Sequence, residues 1–347
     1  MKPQVAVLAL LFLTISCNTT EPPAEEGPKP GRRDYIWSTD TLRGELGDLV
    51  ALLSIWGSSP SDIWAVGTSP TSRTAIWHYD GTRWRPDSVV RNVQPFSVFG
   101  FQQNDVWLAN LNGTFWHFDG ADWSLFSTHT IGGFPRVQFI NIWGETPNNI
   151  YSVGAASSSD GSIYKGIVMH FDGLSWTPRA IPDMRVAFVW IRKGIREGDA
   201  FYMTAIRNES FGDTTKLFEF AGQNMNLIYQ TSTEVATVNE VAGRIYLAIG
   251  KKVFKYQGGQ LQLWKDFSNT AYRGRLWGRG ETDFFSVAED GLDHFNGTDI
   301  VTIYPTNMTI LDLAVFTSDV FVLCFGQQAG GNEGPIVIHG RLPVGGQ

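Results

Sequence analysis

Four of the six histidines occupy one repeated position, and this is the first arrangement in the chain that could do chemistry. Each precedes an aromatic residue, then Asp or Asn, then Gly; they are His78, His117, His170 and His294. Histidines hold a zinc ion only when several converge on one point. Equivalent positions of repeated units lie apart, and Glu219 and Lys255 take this position elsewhere. We therefore expect structural histidines, no metal site and no cofactor.

A second set of candidates consists of turn residues, mostly acidic, that stand two positions before a large aromatic residue. The seven pairs are Asp62/Trp64, Asp105/Trp107, Asn149/Tyr151, Asp199/Phe201, Arg244/Tyr246, Asp283/Phe285 and Asp319/Phe321. Glycoside hydrolysis needs two carboxyls about 5 to 9 Å apart across one sugar, and this pattern identifies no such pair. Asp in a turn commonly accepts hydrogen bonds from nearby backbone amides. We interpret these residues as structural and assign no catalytic residue.

The recurrence of these pairs shows that one small supersecondary unit has been repeated along the chain. The clearest unit covers residues 53–85 and contains four short β-rich runs separated by Gly, Pro, Asp and Ser. Aligning the units places one residue of each first strand in an equivalent position: Trp56, Phe99, Trp143, Trp190, Val238, Trp277 and Leu313. The apolar residues run nearly continuously, as expected for a sheet covered on both faces.

The last unit lacks a fourth strand, and a matching segment occurs near the N-terminus at Tyr35–Thr39. Pairing the two would close the ring and remove exposed sheet edges. Residues 34–341 divided among seven units give about 44 each, which suits four-stranded blades. The sequence thus predicts an all-β, seven-bladed β-propeller of four-stranded antiparallel blades, closed by an N-terminal strand that joins the C-terminal blade.

The units resemble the Trp-rich propeller repeats of exported bacterial proteins, with the pattern W-G-x-x-x-x-D-[IV]-W-x-V-G followed by H-[FY]-D-G-x-x-W. Residues 56–67 and 78–84 carry this pattern best. The Asp-Gly-x-x-Trp segments also resemble the Asp-box of sialidase-like propellers. In that family the box is a folding element remote from the active site, so the resemblance implies a fold and carries no catalysis.

The N-terminus is typical of an export signal. Lys2 precedes the apolar run 5–13, and the segment 14–17, Thr-Ile-Ser-Cys, resembles the lipobox of bacterial lipoproteins apart from Thr14, where that family prefers Leu. The resemblance implies a signal peptide over residues 1–16 and lipidation at Cys17, with a plain secretory signal as the alternative. Residues 17–33 are rich in Pro, Glu, Thr and Gly and are predicted to form a flexible tether to a propeller at 34–347. Asn18 favours an outer-membrane or cell-surface address, with a periplasmic or secreted protein as the alternative.

Two cysteines and a net charge of −7 limit the remaining possibilities. With Cys17 committed to lipid, no intramolecular disulfide can form, and Cys324 lies in an apolar run that predicts a buried thiol. The acidic balance and the absence of a basic cluster argue against nucleic acid as a partner.

One face of the ring is predicted to carry the loops that join fourth strands to the next blade and second strands to third strands. We call it the loop-rich face; its longest loops cover 85–95, 124–139, 154–166, 205–215, 265–274 and 326–334. Loops on a rigid scaffold commonly bind ligands. Candidate ligand-binding residues, in these loops or near the start of a first strand, are Arg91, Arg136, Arg185, Arg207, Arg273 and Tyr272, which could hold an anionic or sugar-like ligand by bidentate and stacking contacts.

We therefore predict a monomeric, non-enzymatic, lipid-anchored propeller of the cell envelope that binds a protein or glycan through the loop-rich face. The alternative is a polysaccharide-acting hydrolase or lyase with its site in the central depression, for which Glu145, Asp160, Glu197, Glu209 and Asp213 supply the carboxyls. A third possibility is an assembly factor, which predicts a broad apolar patch on one rim.

Overall fold

The computed structural model describes residues 29–44, 49–194, 200–209, 212–328 and 331–343. The predicted signal peptide, Cys17 and most of the predicted tether lie outside these residues. Within them, twenty-eight strands form seven four-stranded antiparallel sheets arranged as the blades of a propeller. The predicted all-β, seven-bladed architecture is confirmed. No helix of the described residues has the length and apolar character needed to cross a membrane.

The strands of the first three blades follow chain order from the centre outwards. Blade 1 contains β2 (Ala51–Ser59), β3 (Asp62–Thr68), β4 (Ile76–Tyr79) and β5 (Trp84–Pro86). Blade 2 contains β6 (Pro95–Gln102), β7 (Asp105–Asn110), β8 (Thr114–Phe118) and β9 (Trp123–Thr128). Blade 3 contains β10 (Arg136–Thr146), β11 (Asn149–Ser157), β12 (Tyr164–Phe171) and β13 (Trp176–Pro178).

The next three blades repeat this order. Blade 4 contains β14 (Ala187–Lys193), β15 (Ala200–Glu209), β16 (Gly212–Ala221) and β17 (Asn224–Thr231). Blade 5 contains β18 (Ala236–Val241), β19 (Arg244–Ile249), β20 (Lys252–Gln257) and β21 (Gln260–Asp266). Blade 6 contains β22 (Tyr272–Gly280), β23 (Asp283–Ala288), β24 (Gly291–Phe295) and β25 (Ile300–Pro305).

Blade 7 joins the two ends of the chain. Its inner strands are β26 (Thr309–Val315), β27 (Asp319–Gln327) and β28 (Glu333–Arg341), and its outermost strand is β1 (Ile36–Thr41). β1 pairs antiparallel with β28 over six residues, from Ile36 opposite Arg341 to Thr41 opposite Ile336. The predicted closing segment therefore forms, displaced by one or two residues. Contacts begin before residue 34, because Arg33 of the predicted tether donates hydrogen bonds to His294 O and Asp299 in blade 6.

The repeat alignment is correct in four blades and wrong in three. Trp56, like its counterparts in blades 2, 3 and 6, faces the aromatic residue of the second strand across a hairpin with a bulge. Blade 5 has no register shift in this hairpin, and blade 7 has none between Asp312 and the turn, so Asn239 and Ala314 take the position assigned to their neighbours. In blade 4, the residue opposite the aromatic Phe201 is Lys193. Trp190, which the alignment assigns to this position, lies three residues earlier in the strand, opposite Thr204.

Apolar side chains fill the spaces between neighbouring blades, which explains the continuous apolar runs. One cluster joins blades 7 and 1 through Phe321, Leu323 and Ile55, and another joins blades 2 and 3. The second strands approach the first strands closely where the sequence has glycine. A Cβ on Gly67 would lie 1.9 Å from Ala51 O, and one on Gly154 would lie 1.9 Å from Gln138 O. Only glycine fits there without displacing the inner strand.

A circle of hydrogen bonds around the axis links each blade to the next. At six junctions a side-chain oxygen of one blade accepts the backbone N–H of the following blade, and at the last an indole N–H donates to a carboxylate. The donors and acceptors, 2.9 to 3.4 Å apart, are Ile55 N with Asp312 Oδ2, Val98 N with Ser54 Oγ, Ile142 N with Ser97 Oγ, Ile191 N with Asn141 Oδ1, Val238 N with Thr204 Oγ1, Leu276 N with Asn239 Oδ1, and Trp277 Nε1 with Asp312 Oδ1. Polar residues near the axis therefore fix the angular spacing of the blades.

Candidate functional site: the axial cavity and the loop-rich face

The repeated histidines form hydrogen bonds with the repeated turn residues, so the two candidate sets of the sequence meet in one structural contact that recurs from blade to blade. In blade 1, His78 Nε2 lies 2.6 Å from Asp62 Oδ1, and the imidazole packs on Trp64 with 4.2 Å between ring centroids. The same three-residue contact occurs in blades 2, 3, 6 and 7. Hairpin pairing of the second and third strands places the three side chains together.

Two expectations about these residues were wrong in detail. The carboxylates of Asp62 and its counterparts form a hydrogen bond with a histidine side chain of the same blade. We had expected them to accept hydrogen bonds from the backbone amides of their own turn. The repeated position holds five histidines, where the sequence pattern indicated four, because His339 lies 2.7 Å from Asp319 and stacks on Phe321 as the blade 7 copy. No group of three or more His, Cys, Asp or Glu side chains in the described ranges is arranged to hold a metal ion.

Buried Asp–His pairs of this kind hold the carboxylate charged. Burial alone raises the pKa of Asp283, but hydrogen bonds from His294 and Arg279 outweigh it and bring the pKa to about 2. Asp319 also has a pKa of about 2, because hydrogen bonds from His339 and Ser318 outweigh the effect of burial. Both carboxylates are ionised at neutral pH and act as fixed acceptors for the blade.

The candidate arginines fall into exposed and engaged groups. Arg136, Arg185 and Arg273 are exposed at the beginning of the first strands of blades 3, 4 and 6, so their side chains are available on the loop-rich face. Arg207 is half-buried on β15. Arg91 is nearly buried, with 7% of its side chain accessible, and forms ion pairs with Asp87 and Asp122. Its guanidinium joins two loops and would have to leave two carboxylates to bind a ligand.

Tyr272 cannot act as a surface contact in this structure. Its side chain has 0% exposure and packs against Phe267 with 4.9 Å between ring centroids. Burial raises the pKa of its hydroxyl far above the usual value. The aromatic residue at the start of β22 therefore belongs to the core, and the expectation that it stacks on a ligand is corrected.

Exposed aliphatic side chains are concentrated on the loop-rich face. Five large ones lie in its loops: Leu49, Val89, Val90, Ile163 and Val235. The opposite face, which carries the turns between first and second strands, has Leu174 alone among the described residues. The other exposed large hydrophobics lie on the outermost strands. Exposed aliphatic side chains and exposed arginines therefore occur on the same face.

A cavity of about 330 Å³ lies on the propeller axis, lined by the first strands of six blades. Its wall combines apolar groups with the charged groups of three residues that the sequence pattern did not identify, Arg192, Arg275 and Asp312. Most of these lining residues lie in the first half of their strands, on the side of the loop-rich face. The cavity therefore lies beneath the centre of that face.

The two arginines of the cavity are oriented by neighbouring blades. Arg192 Nη1 donates to Asn141 Oδ1 at 3.1 Å and to Ile191 O at 2.7 Å. Arg275 Nη1 donates to Leu311 O at 2.6 Å. Burial lowers the pKa of Arg192, and burial with the charge of Arg192 lowers the pKa of Arg275 to about 10. Both groups remain cations at neutral pH, in a site that lacks full hydration.

Asp312 is the one carboxylate among the residues that line the cavity. Its oxygens accept hydrogen bonds from Ser54 Oγ, from Trp277 Nε1 and from the backbone of Ile55 and Leu313, at 3.0 to 3.1 Å. The carboxylate pair required for glycoside hydrolysis is therefore missing from this wall. Of the carboxyls named for that chemistry, Glu145 binds Lys193, and Asp160 accepts bonds from Ser158 and Ser162 of its own turn. Glu197 and the side chains of Glu209 and Asp213 lie outside the described part of the chain.

Solved structures with this architecture are numerous, and their sequences are distant. YCF48 bound to D1 peptide has a TM-score of 0.60 at 16% identity, covering 91% of this chain and 100% of that one. YCF48 from Cyanidioschyzon merolae has a TM-score of 0.58 at 12% identity, covering 89% and 99%. The WD40 propeller domain of Doa1 has a TM-score of 0.54 at 12% identity, covering 90% and 98%. No protein-family model and no curated protein matches the sequence. At these identities the likeness shows the propeller fold alone.

Proposed function

We propose that this protein binds another protein through the loop-rich face and performs no catalysis. The observation that carries the proposal is the uneven distribution of exposed aliphatic residues, with five on the loop-rich face and Leu174 alone on the described part of the opposite face. Arg136, Arg185 and Arg273 on the same face add the charged contacts that are common at protein interfaces. A solved propeller of the same fold is bound to a peptide, which supports a peptide or protein ligand over a glycan.

We also propose that the protein acts from the cell envelope, as a lipoprotein anchored through Cys17. The support is the N-terminal sequence, in which an apolar run precedes a segment resembling a lipobox. Mass spectrometry of the membrane-extracted protein should find a lipid-modified Cys17 as the first residue. A Cys17→Ser variant should move to the soluble fraction. An unmodified Cys17 in the membrane-extracted protein would contradict the proposed lipid anchor.

The proposed binding is tested by selecting ligands from a library of random dodecapeptides and measuring their affinity for variants. Leu49→Asp with Val90→Asp should weaken the selected peptides by at least about tenfold, because charges replace apolar surface at the interface. Arg136→Ala with Arg185→Ala should weaken acidic peptides selectively. The matched control is Leu174→Asp, which places the same charge on the opposite face and should leave affinity unchanged.

Equal losses for the Leu174→Asp control and the loop-rich variants would refute an interface on this face. A glycan array provides the competing outcome, since saturable glycan binding with no selected peptide would assign the face to a carbohydrate. Each variant is first checked by urea unfolding, so that a loss of affinity is read only from folded protein.

A further inference from the structure

Arg275 lies in an unusual conformation that the fold does not require. It has a φ of 57°, in the left-handed region where residues other than glycine are uncommon. The pairing of β22 with β23 is interrupted between Tyr272 and Leu276, where β22 carries two extra residues. The first strands of five other blades carry one extra residue at the corresponding bulge, and that of blade 5 carries none. The irregularity of β22 directs the side chain of Arg275 to the axial cavity. Backbone strain of this kind is often associated with function.

Two indole rings support the Arg275 guanidinium at the cavity wall. Its central carbon lies 4.5 Å from the ring centroid of Trp277 and 5.1 Å from that of Trp190. Stacking on aromatic rings fixes the plane of a guanidinium without using its N–H donors. The hydrogen bond to Leu311 O uses Nη1, which leaves further donors of Arg275 for a ligand in the cavity.

The charges of the cavity wall do not balance. Arg192 and Arg275 are both cations, and Asp312, whose charge acts on both of them, is the single carboxylate among the described residues of the wall. Asp312 already accepts four hydrogen bonds from the scaffold. Two poorly hydrated cations with one engaged anion leave an excess positive charge, and an anion that entered the cavity would reduce their mutual repulsion.

Part of the remaining cavity wall is apolar, beside the polar side chains of Ser54, Ser97 and Asn141. Leu53, Phe96, Ile140 and Val189 contribute to it, each from the first strand of a different blade. A ligand that fits this wall therefore has a carboxylate next to an aliphatic side chain. The last residue of a protein chain has this chemistry, since its terminal carboxylate and its side chain share one Cα atom. A chain end can also enter an axial cavity that would exclude a folded loop.

We propose that the axial cavity binds the C-terminal carboxylate of a partner protein, with Arg275 and Arg192 as the carboxylate ligands and the apolar wall receiving the last side chain. This inference rests on the proposed function, because it assigns the partner's terminus to the centre of the protein-binding face. Arg275 offers a planar pair of N–H donors to the two carboxylate oxygens, and Arg192 contributes a second charge.

The test uses small probes and the full chain in calorimetric titration. The probes are N-acetyl-Gly-Gly-Leu with a free carboxylate, the same peptide as its C-terminal amide, N-acetyl-Gly-Glu-Gly-amide and inorganic phosphate. The free acid should bind at least about tenfold more tightly than each of the other three, since only it combines a terminal carboxylate with an aliphatic side chain. Acid and amide of equal affinity would overturn the proposal, and phosphate or the Glu peptide binding as tightly as the acid would overturn the assignment to a chain terminus.

Variants identify the residues that act in the cavity. Arg275→Gln and Arg192→Gln should each lower the affinity for the free acid by at least about tenfold, while Arg275→Lys should retain part of it through its charge. The matched control is Arg83→Gln, which removes an exposed arginine from the turn between β4 and β5 on the opposite face and should bind the acid normally. Unchanged affinity in folded Arg275→Gln protein would overturn the proposal.

Failure here is distinguishable from failure of the proposed function. Should the library peptides respond to Val90→Asp but bind equally as acids and amides, the loop-rich face would remain the interface and the cavity site would be rejected. Should no library peptide bind while the tripeptide acid still distinguishes Arg275→Gln from Arg83→Gln, the cavity site would stand and the larger interface would be rejected.

Discussion

Replacing Asp312 with alanine tests whether the hydrogen bonds near the axis hold the ring together. The carboxylate joins three blades, since it accepts bonds from blade 6 at Trp277 and from blade 1 at Ser54 and Ile55, while itself belonging to blade 7. A fourth donor is the amide of Leu313. Bonds to a charged acceptor contribute about 1.5 to 3 kcal/mol each, so complete loss of four would cost at least about 6 kcal/mol.

The expected cost is smaller because the cavity is polar enough to hold water. Water can replace part of the lost bonding at the hydroxyl of Ser54 and the indole of Trp277, whereas the amide of Ile55 is turned into the blade junction. We therefore expect Asp312→Ala to lower the free energy of unfolding by about 3 to 4 kcal/mol. Asp312→Asn keeps one acceptor oxygen and should lose about half as much.

Urea unfolding followed by tryptophan fluorescence and circular dichroism measures this difference. The matched control is Asp183→Ala, which removes an exposed carboxyl from a loop and should change the free energy of unfolding by less than about 0.5 kcal/mol. A loss below about 1 kcal/mol for Asp312→Ala would refute the reasoning, because the blades would then be held by apolar packing without help from this residue.

Three further predictions concern the blade interiors. Asp283 and Asp319 have folded pKa values of about 2, below the usual 3.8, so the stability they contribute should be present above pH 4 and lost as the pH falls towards 2. In an Asp283→Asn, Asp319→Asn double variant, the free energy of unfolding should fall less over this pH range. An identical pH profile for the variant and the unmodified protein would contradict this prediction. Gly154→Ala should lower the free energy of unfolding in urea by about 1 to 3 kcal/mol, because the new Cβ would meet a backbone oxygen. The control Gly132→Ala, which has open space around it, should leave this free energy unchanged. Equal effects of the two substitutions would refute the steric argument. Burial raises the pKa of the Cys324 thiol to about 12, so a thiol reagent should modify it only after unfolding, and rapid labelling of the native protein would show that the thiol is accessible.

The fold could be predicted because each repeated unit contains residues that mark its strands and its turns. The Asp-Gly pair at 80–81 marks the outer hairpin, and Gly81 adopts the positive φ that the turn requires. Asp80 accepts the backbone amides of Thr82 and Arg83, as expected for this turn. These are local effects, which act within a few residues and are visible in any copy of the repeat.

Pairings between strands were harder to predict, because a register shift of one residue changes the partners. The contact of His339 with Asp319 was missed because a residue without an Asp-Gly turn after it does not match the repeat. Trp190 was aligned by its aromatic character, although β14 places it opposite Thr204 and beside the cavity. Sequence spacing cannot reveal such bulges.

The axial site was invisible in the sequence for the same reason. Arg192 and Arg275 differ from their counterparts in other blades, so the repeat pattern treats them as irregularities. Their proximity depends on the closure of seven blades around one axis and on the irregular segment of β22. The candidate arginines were chosen for their position in or near long loops, whereas Arg192 and Arg275 are half-buried on inner strands.

The pairing of β1 with β28 has a consequence for biogenesis. Residues 36 and 341 are partners, so every residue between them must be available before the last sheet can be completed. Closing a loop of this length is entropically costly and slow compared with forming a hairpin. Before closure the chain would hold six sheets that can form from consecutive residues, with an unsealed gap beside them. The ring therefore closes as a late step of folding, and a partly folded chain is most exposed to chaperones and proteases at that gap.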